Sequence, residues 1–347
     1  MKREKVVIGM SGGVDSSVAA YLLKNSGYEV VGVTLNHKKN YLLDEEVKTA
    51  RRIADFLGVS HIEKDIENIF QKEVIDGFLD GYSKGITPSP CVICDERVKF
   101  KILFDIAEET GADYVATGHY CTIEYNSEFR MNLIKRANDL KKDQSYMLSR
   151  LSADRLSKII FPLYKYTKEE IRDIALKAGL EVHNKKDSQG ICFAKEGYID
   201  FLRKHLGDKI VKGNYIDGSG KILGQHEGYQ LYTLGQRRGL GLKSPKPWFI
   251  VKIDSQTNEI TLGEYDDLKK RVIELSDYKG AIEIEKLKNR IVTGKPRFSS
   301  DGAEGYIIKD NGRVYFEYIN ENCHNAPGQH LVIYLDNYVV GSGIISF

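Results

Sequence analysis

The chain is poor in several features that would point to whole classes of protein. It has five cysteines, one tryptophan and seven prolines among 347 residues. So few cysteines in a chain of this size do not form a disulfide framework. The apolar run from Val6 to Met10 is too short for the core of a signal peptide, and no stretch reaches the length of a membrane span. We therefore expect a cytoplasmic protein without a membrane partner.

Excess charge of one sign is also missing, because the formal net charge is only +2. A balance this close to neutral permits a nucleic-acid partner through a local basic patch but does not require one. The length exceeds what one small core supports and predicts two or three domains.

Strand-like and helix-like segments alternate through the first half of the chain. The strand-like segments run from Lys5 to Gly9, Glu29 to Leu35, Val59 to Lys64 and Asp113 to Thr117. The helix-like segments run from Val14 to Lys24, Asp44 to Leu57 and Arg97 to Glu109, and a capping box of Thr167 and Glu170 opens another. This alternation predicts an α/β domain, a Rossmann-like parallel sheet with helices on both faces.

The composition changes near residue 205, where Gly, Tyr and Thr become frequent and the segments become short. A hairpin is predicted from Ile250 to Leu262, and strands from Arg313 to Ile319, Leu331 to Leu335 and Tyr338 to Ile345. We expect a small β-rich central domain and a C-terminal β-barrel after the α/β domain. The predicted domains are residues 1–204 (α/β), 205–272 (central, β-rich) and 273–347 (barrel).

The segment SGGVDS, from Ser11 to Ser16, stands between the first strand and the first helix. Its glycines allow close approach, and the backbone N–H groups of such a turn form a cradle for anions at a helix N-terminus. No Gly-Lys-Ser/Thr follows, so the segment is not a Walker A loop. The string predicts a nucleotide-binding loop and resembles the loop of the ATP-pyrophosphatase superfamily, which implies cleavage of ATP between its α- and β-phosphates.

Cys91 and Cys94 form a Cys-x-x-Cys pair just before a predicted helix, and Cys192 lies alone in DSQGICF. A cysteine near a helix N-terminus gains thiolate character. The alternatives are a structural zinc half-site for the pair, for which the chain has no second ligand pair, and a buried apolar role for Cys192. Cys121 and Cys323 are expected in the core or at the surface without a catalytic role.

Six motifs along the chain indicate a family. In order they are TPSPCVICDERVKF (Thr87 to Phe100), ATGHY (Ala116 to Tyr120), KDQSYML (Lys142 to Leu148), DSQGICF (Asp187 to Phe193), YTLGQRRGLGL (Tyr232 to Leu242) and APGQ (Ala326 to Gln329). They span nearly the whole length, and together they resemble the bacterial-type tRNA-specific 2-thiouridylases.

The resemblance implies an ATP site and a reaction. The implied ATP-binding residues are Gly9, Met10, Ser11, Gly12, Gly13, Val14, Asp15, Ser16, Leu35 and Gly118, with Mg²⁺ as a companion of ATP. ATP would adenylate the C2 oxygen of the wobble uridine (U34), because a urea-like carbonyl is a poor electrophile and oxide a poor leaving group. Cys192 would carry sulfane sulfur as a persulfide, and Cys94 would be the nucleophile that releases it. A Cys94–Cys192 disulfide would then need reduction.

The resemblance also implies partners. The positions matching tRNA contacts are His119, Lys142, Asp143, Gln144, Arg297, Phe298 and Gln329. Tyr229, Tyr232, Arg237 and Arg238 lie in a Gly-rich segment whose aromatic and basic side chains suit RNA. A cysteine desulfurase or a sulfur-relay protein would supply the sulfur, and a monomer is expected.

Two departures from the family pattern leave alternatives open. Some relatives have an aspartate at the position of Cys91, and many have an asparagine at the position of Ser89. Cys91, Cys94 and Cys192 together are therefore also candidate ligands of a 4Fe–4S cluster, since thiolates are the ordinary cluster ligands. Two other hypotheses remain. One is the same chemistry on another tRNA position or on ribosomal RNA, and the other is a non-catalytic module that senses adenine nucleotides.

Overall fold

The computed structural model of the chain describes residues 3–37, 44–186, 190–243 and 246–346. The helices are α1 (Val14–Asn25), α2 (Glu45–Leu57), α3 (Glu67–Phe70), α4 (Asp76–Ser83), α5 (Pro90–Cys94), α6 (Phe100–Thr110), α7 (Lys168–Lys177) and α8 (Tyr198–Leu206). The strands are β1 (Lys5–Gly9), β2 (Glu29–Asn36), β3 (Ser60–Asp65), β4 (Tyr114–Ala116), β5 (Cys121–Asn126), β6 (Met131–Arg136), β7 (Ile159–Ile160), β8 (Gly213–Ile216), β9 (Ile222–His226), β10 (Phe249–Asp254), β11 (Glu259–Gly263), β12 (Lys270–Gly280), β13 (Val292–Lys295), β14 (Ala303–Asp310), β15 (Arg313–Asn322), β16 (His330–Leu335) and β17 (Tyr338–Ser346).

Backbone contacts divide the chain into two compact units. Unit 1 comprises residues 1–74, 91–188 and 337–339, and unit 2 comprises residues 75–90, 189–336 and 340–347. The domain boundaries expected after residues 204 and 272 stay a prediction. Within the described residues, no helix is long and apolar enough to cross a membrane.

Unit 1 contains a parallel sheet in the order β3-β2-β1-β4-β7. The central strand β1 pairs in parallel with β2 and with β4, so that Gly9 lies beside Val33 and Ile8 beside Ala116. Its apolar side chains pack with those of α1, α2 and α7 in one buried cluster. The β-α alternation of the sequence produces this arrangement, and the predicted Rossmann-like sheet is confirmed.

Local signals in the sequence set the helix ends of unit 1. Asp44 caps α2 by accepting a hydrogen bond from the Glu46 N–H at 2.9 Å, and Gly58 ends that helix in the left-handed conformation. The capping box of Thr167 and Glu170 opens α7 as expected. These caps place the first turn of α7, and hence Lys168, at a defined point in the chain.

Unit 2 contains two β structures. A four-stranded sheet has the order β10-β11-β8-β9, and β10 and β11 form the predicted hairpin. Six strands in the order β12-β15-β14-β13-β16-β17 close into an antiparallel barrel through the pairing of β17 with β12. Asp336 turns the chain between β16 and β17 with φ of +53°. The predicted C-terminal β-barrel is confirmed.

The helix predicted from Arg97 to Glu109 begins earlier than expected. Helix α5 starts at Pro90, a π-helical turn follows from Asp95 to Lys99, and α6 continues to Thr110. Proline fits the first helical position because its missing N–H is not needed there. Cys91 and Cys94 therefore lie within the first turns of a helix rather than before one, which corrects the sequence-based expectation.

Candidate functional site

The predicted phosphate loop lies at the carboxyl end of β1 in unit 1. Gly12 has φ of +68°, and a Cβ at this position would lie 2.3 Å from the carbonyl oxygen of Glu46. Ser16 Oγ accepts a hydrogen bond from the Ser11 N–H at 3.2 Å and donates to the Gly13 carbonyl at 3.2 Å. The loop is thus held by its own serines and admits only glycine at its turn.

The other two predicted ATP positions lie at the same edge of the sheet. A Cβ on Gly118 would be 2.9 Å from the backbone N of Ser16, so the segment after β4 packs directly on the loop. Leu35 is half-buried and follows Val33, the β2 partner of Gly9, by two residues. In open parallel sheets, ligands bind outside the carboxyl ends of the strands. The structure therefore brings together Gly9 to Ser16, Leu35 and Gly118.

Asp15, in the first turn of α1, is not left as an isolated carboxylate beside an anion site. Tyr120 Oη donates a hydrogen bond to its Oδ1 at 2.7 Å. Lys168 Nζ lies 2.8 Å from both Oδ1 and Oδ2, and Lys185 Nζ donates to the Gly12 carbonyl at 2.9 Å. Sequence reasoning missed both lysines, because they follow the loop by more than 150 residues.

The continuous helical segment from Pro90 to Thr110, called here the cysteine helix, carries a cation one turn beyond the predicted nucleophile Cys94. Lys99 donates a hydrogen bond to the Asp95 carboxylate, whose side chain is almost fully buried. Burial by itself would lower the pKa of Lys99, but attraction to Asp95, Cys94 and Cys91 raises it above its ordinary value. Because side chains on a helix point back toward its N-terminus, Lys99 places positive charge near both thiols.

His119 is almost buried, with 13% of its side chain exposed. Its Nδ1 lies 2.7 Å from Thr117 Oγ1, and its Nε2 lies 3.7 Å from an Asp95 oxygen. Burial lowers its pKa to about 4, although Asp95 opposes the shift. The neutral ring stacks on Phe100 and so braces the cysteine helix. A tRNA contact by His119 stays a prediction.

Cys192 is exposed, in a turn of unit 2 before α8. Its neighbour Phe193 packs against Phe78 and Phe201, with ring centroids 5.2 and 4.9 Å away. An anchored aromatic ring next to an exposed thiol lets the turn present sulfur to solvent. Asp187, Ser188 and Gln189 of the same motif lie outside the described residues.

The remaining two cysteines, Cys121 and Cys323, both lie in the interior. Cys121 is buried, and burial raises the pKa of its thiol well above the usual value. Cys323 is also buried and contacts the Tyr265 hydroxyl at 2.7 Å. All five cysteines lie in the described part of the chain, and no disulfide joins them.

Several residues predicted to contact tRNA form hydrogen bonds that hold the protein backbone. Asp143 is buried and accepts hydrogen bonds from the Ala137 N–H at 3.1 Å and the Ser145 hydroxyl at 2.8 Å. Gln144 Oε1 accepts from the Tyr120 N–H at 3.0 Å. Lys142, beside them in unit 1, is half-buried. Their contribution to tRNA binding stays a prediction.

In unit 2, Gln329 Nε2 donates to the carbonyl oxygens of Thr87 at 3.2 Å and Pro88 at 3.4 Å. Ser89 Oγ accepts from the His330 N–H at 3.3 Å. The APGQ motif therefore braces the segment that precedes the cysteines in the chain. Here too, a role of Gln329 toward tRNA stays a prediction.

A basic pocket of about 490 Å³ lies within unit 2. Its lining consists of Tyr198, Thr233, Leu234, Gly235, Gln236, Arg237, Arg238 and Arg297. Arg297 donates to the Leu234 carbonyl at 3.2 Å, and the neighbouring Phe298 is 40% exposed. Three arginines and no carboxylate on one lining suit a phosphate-bearing ligand. Tyr229 and Tyr232 instead pack with the apolar cluster of this unit.

A glycine-turn phosphate loop on a Rossmann-like sheet, with cysteines on a neighbouring helix, defines a nucleotide-dependent enzyme of the ATP-pyrophosphatase class. The model of the tRNA methyl transferase HUP domain matches residues 4–196, and that of the tRNA methyl transferase PRC-barrel domain matches residues 199–264. The chain is 56% identical to the tRNA-specific 2-thiouridylase MnmA 2 of Fusobacterium nucleatum subsp. nucleatum, over 99% of both chains. The chain belongs to the tRNA-specific 2-thiouridylase family.

Further relatives agree with this assignment. The chain is 40% identical to the tRNA-specific 2-thiouridylase MnmA 1 of Caldanaerobacter subterraneus subsp. tengcongensis, over 98% of this chain and 97% of the relative. Among solved structures, it resembles the U34-tRNA thiolase NcsA from Methanococcus maripaludis with a TM-score of 0.36 and 20% identity, over 59% of this chain and 68% of that one. That last likeness is too distant to bear on function.

Proposed function

We propose that this chain catalyses the ATP-dependent 2-thiolation of the wobble uridine of tRNA. The observation that carries the proposal is the loop of Gly9 to Ser16, closed by Gly118, in the unit that also holds the Cys91–Cys94 helix. A phosphate site and paired thiols serve a reaction that activates an oxygen and replaces it with sulfur.

Adenylation is the first step of the proposed reaction. The uridine C2 oxygen attacks the α-phosphorus of ATP, the bond to the β-phosphate breaks, and pyrophosphate leaves with the bonding electron pair. The backbone N–H groups of the loop and the N-terminus of α1 would bind the phosphates. Mg²⁺ would neutralise phosphate charge when bound with ATP, whereas both oxygens of Asp15 are engaged by Lys168 and one also by Tyr120.

Sulfur transfer is the second step. A donor protein, a cysteine desulfurase or a sulfur-relay protein, would place sulfane sulfur on Cys192, whose thiol is exposed. The Cys94 thiolate would attack the Cys192 sulfur of the persulfide, and the terminal sulfur would leave as sulfide and add to uridine C2. AMP leaves with the former C2 oxygen, and a Cys94–Cys192 disulfide remains for an external thiol to reduce. Lys99 supports the thiolate form of Cys94.

An iron–sulfur cluster on Cys91, Cys94 and Cys192 is the alternative route. Among residues 3–37, 44–186, 190–243 and 246–346, no three His, Cys, Asp or Glu side chains are placed to hold a metal ion. We derive no step through a cluster. Iron and sulfide are to be assayed after anaerobic purification; stoichiometric amounts of both, lost in Cys91→Ser, would overturn the persulfide route.

The tRNA surface would include Arg237, Arg238 and Arg297 of the basic pocket, with Phe298 exposed beside it as a stacking surface. His119, Lys142, Asp143, Gln144 and Gln329 would act on tRNA chiefly by holding the segments around them. The proposal needs no second copy of the chain, because the loop, Cys94, Cys192 and the basic pocket all belong to one chain.

The central experiment measures 2-thiouridine by mass spectrometry of tRNA treated with ATP and a protein persulfide donor. Cys192→Ser and Cys94→Ser should abolish thiolation while ATP binding persists. Cys323→Ser is the matched control and should thiolate normally. Persistent 2-thiouridine in Cys192→Ser would remove the carrier role of that residue.

Two other functions are separated by cheap measurements. Nucleoside mapping of RNA from a deletion strain distinguishes U34 from another tRNA position or ribosomal RNA. Pyrophosphate release that depends on RNA would exclude a non-catalytic module that only senses adenine nucleotides.

A further inference from the structure

The phosphate loop supplies no cation of its own. From Gly9 to Leu23 the sequence has no lysine or arginine, and it carries one carboxylate, Asp15. The first cation after the loop, Lys24, donates to the Leu57 carbonyl at the other end of α1. Bound pyrophosphate carries several negative charges, whereas a helix N-terminus offers the equivalent of about half a positive charge. Cations from elsewhere in the chain would therefore complement any Mg²⁺ that accompanies ATP.

Lys168 brings an ammonium group to the loop. The capping box of Thr167 and Glu170 fixes it as the first residue of α7. Its Nζ lies 2.8 Å from each oxygen of Asp15, and only 12% of its side chain is exposed. Tyr120 holds the same carboxylate from another direction. The ammonium is thus positioned beside the first turn of α1.

Lys185 brings a second ammonium group to the turn itself. Its Nζ donates to the Gly12 carbonyl at 2.9 Å, and the residue is half-buried. Gly12 is the position at which the loop turns with positive φ. Both cations come from one stretch, Lys168 to Lys185, which follows β7 in unit 1.

We propose that Lys168 and Lys185 bind the β- and γ-phosphates of ATP and the pyrophosphate that leaves in adenylation. They supply from a distant segment the charge that a Walker loop carries within its own sequence. This inference rests on the proposed ATP site. Positive charge beside the pyrophosphate stabilises the negative charge that it gains as the α,β-bond breaks. The two lysines therefore act on this cleavage and not on recognition of the adenosine.

The test compares the binding of pyrophosphate and of AMP to the full chain by calorimetry. Lys168→Met and Lys185→Met should each weaken pyrophosphate binding at least tenfold and leave AMP binding within about twofold. Lys168→Arg should recover most of the affinity. Lys177→Met, exposed at the far end of α7, is the matched control and should bind both ligands normally.

A double variant separates direct binding from neutralisation of Asp15. If Lys168 only neutralises that carboxylate, Asp15→Asn/Lys168→Met should regain wild-type affinity for pyrophosphate, and this result would overturn the inference. If the double variant still binds pyrophosphate weakly, the inference is supported. If the lysine variants lose affinity for AMP and pyrophosphate equally, the lysines have a structural role and the inference is overturned. If the wild-type chain binds neither ATP nor pyrophosphate, the proposed function itself fails.

Discussion

The sharpest prediction concerns Gly12, which we would replace by alanine. A Cβ there would lie 2.3 Å from the Glu46 carbonyl oxygen, where contact normally begins above 3 Å, and φ is +68°. The left-handed conformation alone costs an alanine about 1–2 kcal/mol. The overlap is with the backbone of α2, which a side-chain rotation cannot relieve, so the loop must move.

Gly111 provides a matched control within the same unit. Its φ is +64°, nearly that of Gly12, but a Cβ there meets nothing within 4 Å. Gly111→Ala should therefore show the conformational cost of about 1–2 kcal/mol in urea denaturation and leave ATP binding unchanged. Gly12→Ala should show a larger cost.

The loop displacement in Gly12→Ala should also remove phosphate contacts. A hydrogen bond to a charged group contributes about 1.5–3 kcal/mol, so losing one raises the Kd for ATP by about tenfold or more. Calorimetric titration with ATP measures this directly. If Gly12→Ala binds ATP as the wild type does, or if Gly111→Ala loses the same affinity, the assignment of the loop is wrong.

Three further predictions test the cysteine helix, the buried histidine and the basic pocket. Lys99→Met should slow iodoacetamide alkylation of Cys94 at pH 7 several-fold, because the attraction that raises the pKa of Lys99 also favours the thiolate. Lys99→Arg should restore the rate. Equal rates in the wild type and both variants would contradict the electrostatic coupling of Lys99 to Cys94. Burial lowers the pKa of His119 from 6.5 to about 4. Between these pH values the unfolded chain binds a proton that the folded chain does not, so stability falls as pH drops below 6.5. Urea denaturation should show a loss of about 2 kcal/mol between pH 7 and 5, and this loss should be absent in His119→Gln. Arg238→Ala should reduce the slope of log Kd for tRNA against log salt by about one, and an unchanged slope would show that this arginine does not meet a phosphate.

The sequence predicts the fold well where local signals and periodicity agree. The strand before the loop, helix α2, the Thr167 capping box and the β10–β11 hairpin are all confirmed. Each depends on residues within a few positions of one another. The predicted start of the cysteine helix was wrong, because Pro90 fits the first turn of a helix as well as a rigid segment before one.

The sequence predicts only those parts of the candidate site that lie in contiguous motifs. The loop and the cysteines are visible as strings of letters, but the ion pair of Asp15 with Lys168 joins residues 153 positions apart. No periodicity or spacing signals such a pair. The burial of His119 against Phe100 likewise depends on how the segment after β4 packs on the cysteine helix, which the sequence alone does not reveal.

Motif residues that resemble substrate contacts also serve the backbone, and this affects how variants are to be interpreted. Gln329 holds the carbonyl groups of Thr87 and Pro88, just before the cysteines in the chain. Losing these two bonds frees a segment that leads directly into the first turn of the cysteine helix. Gln329→Ala should therefore lower the rate of thiolation at saturating tRNA as well as the affinity for tRNA. A variant affected only in tRNA affinity would assign Gln329 to the RNA and not to the segment it braces.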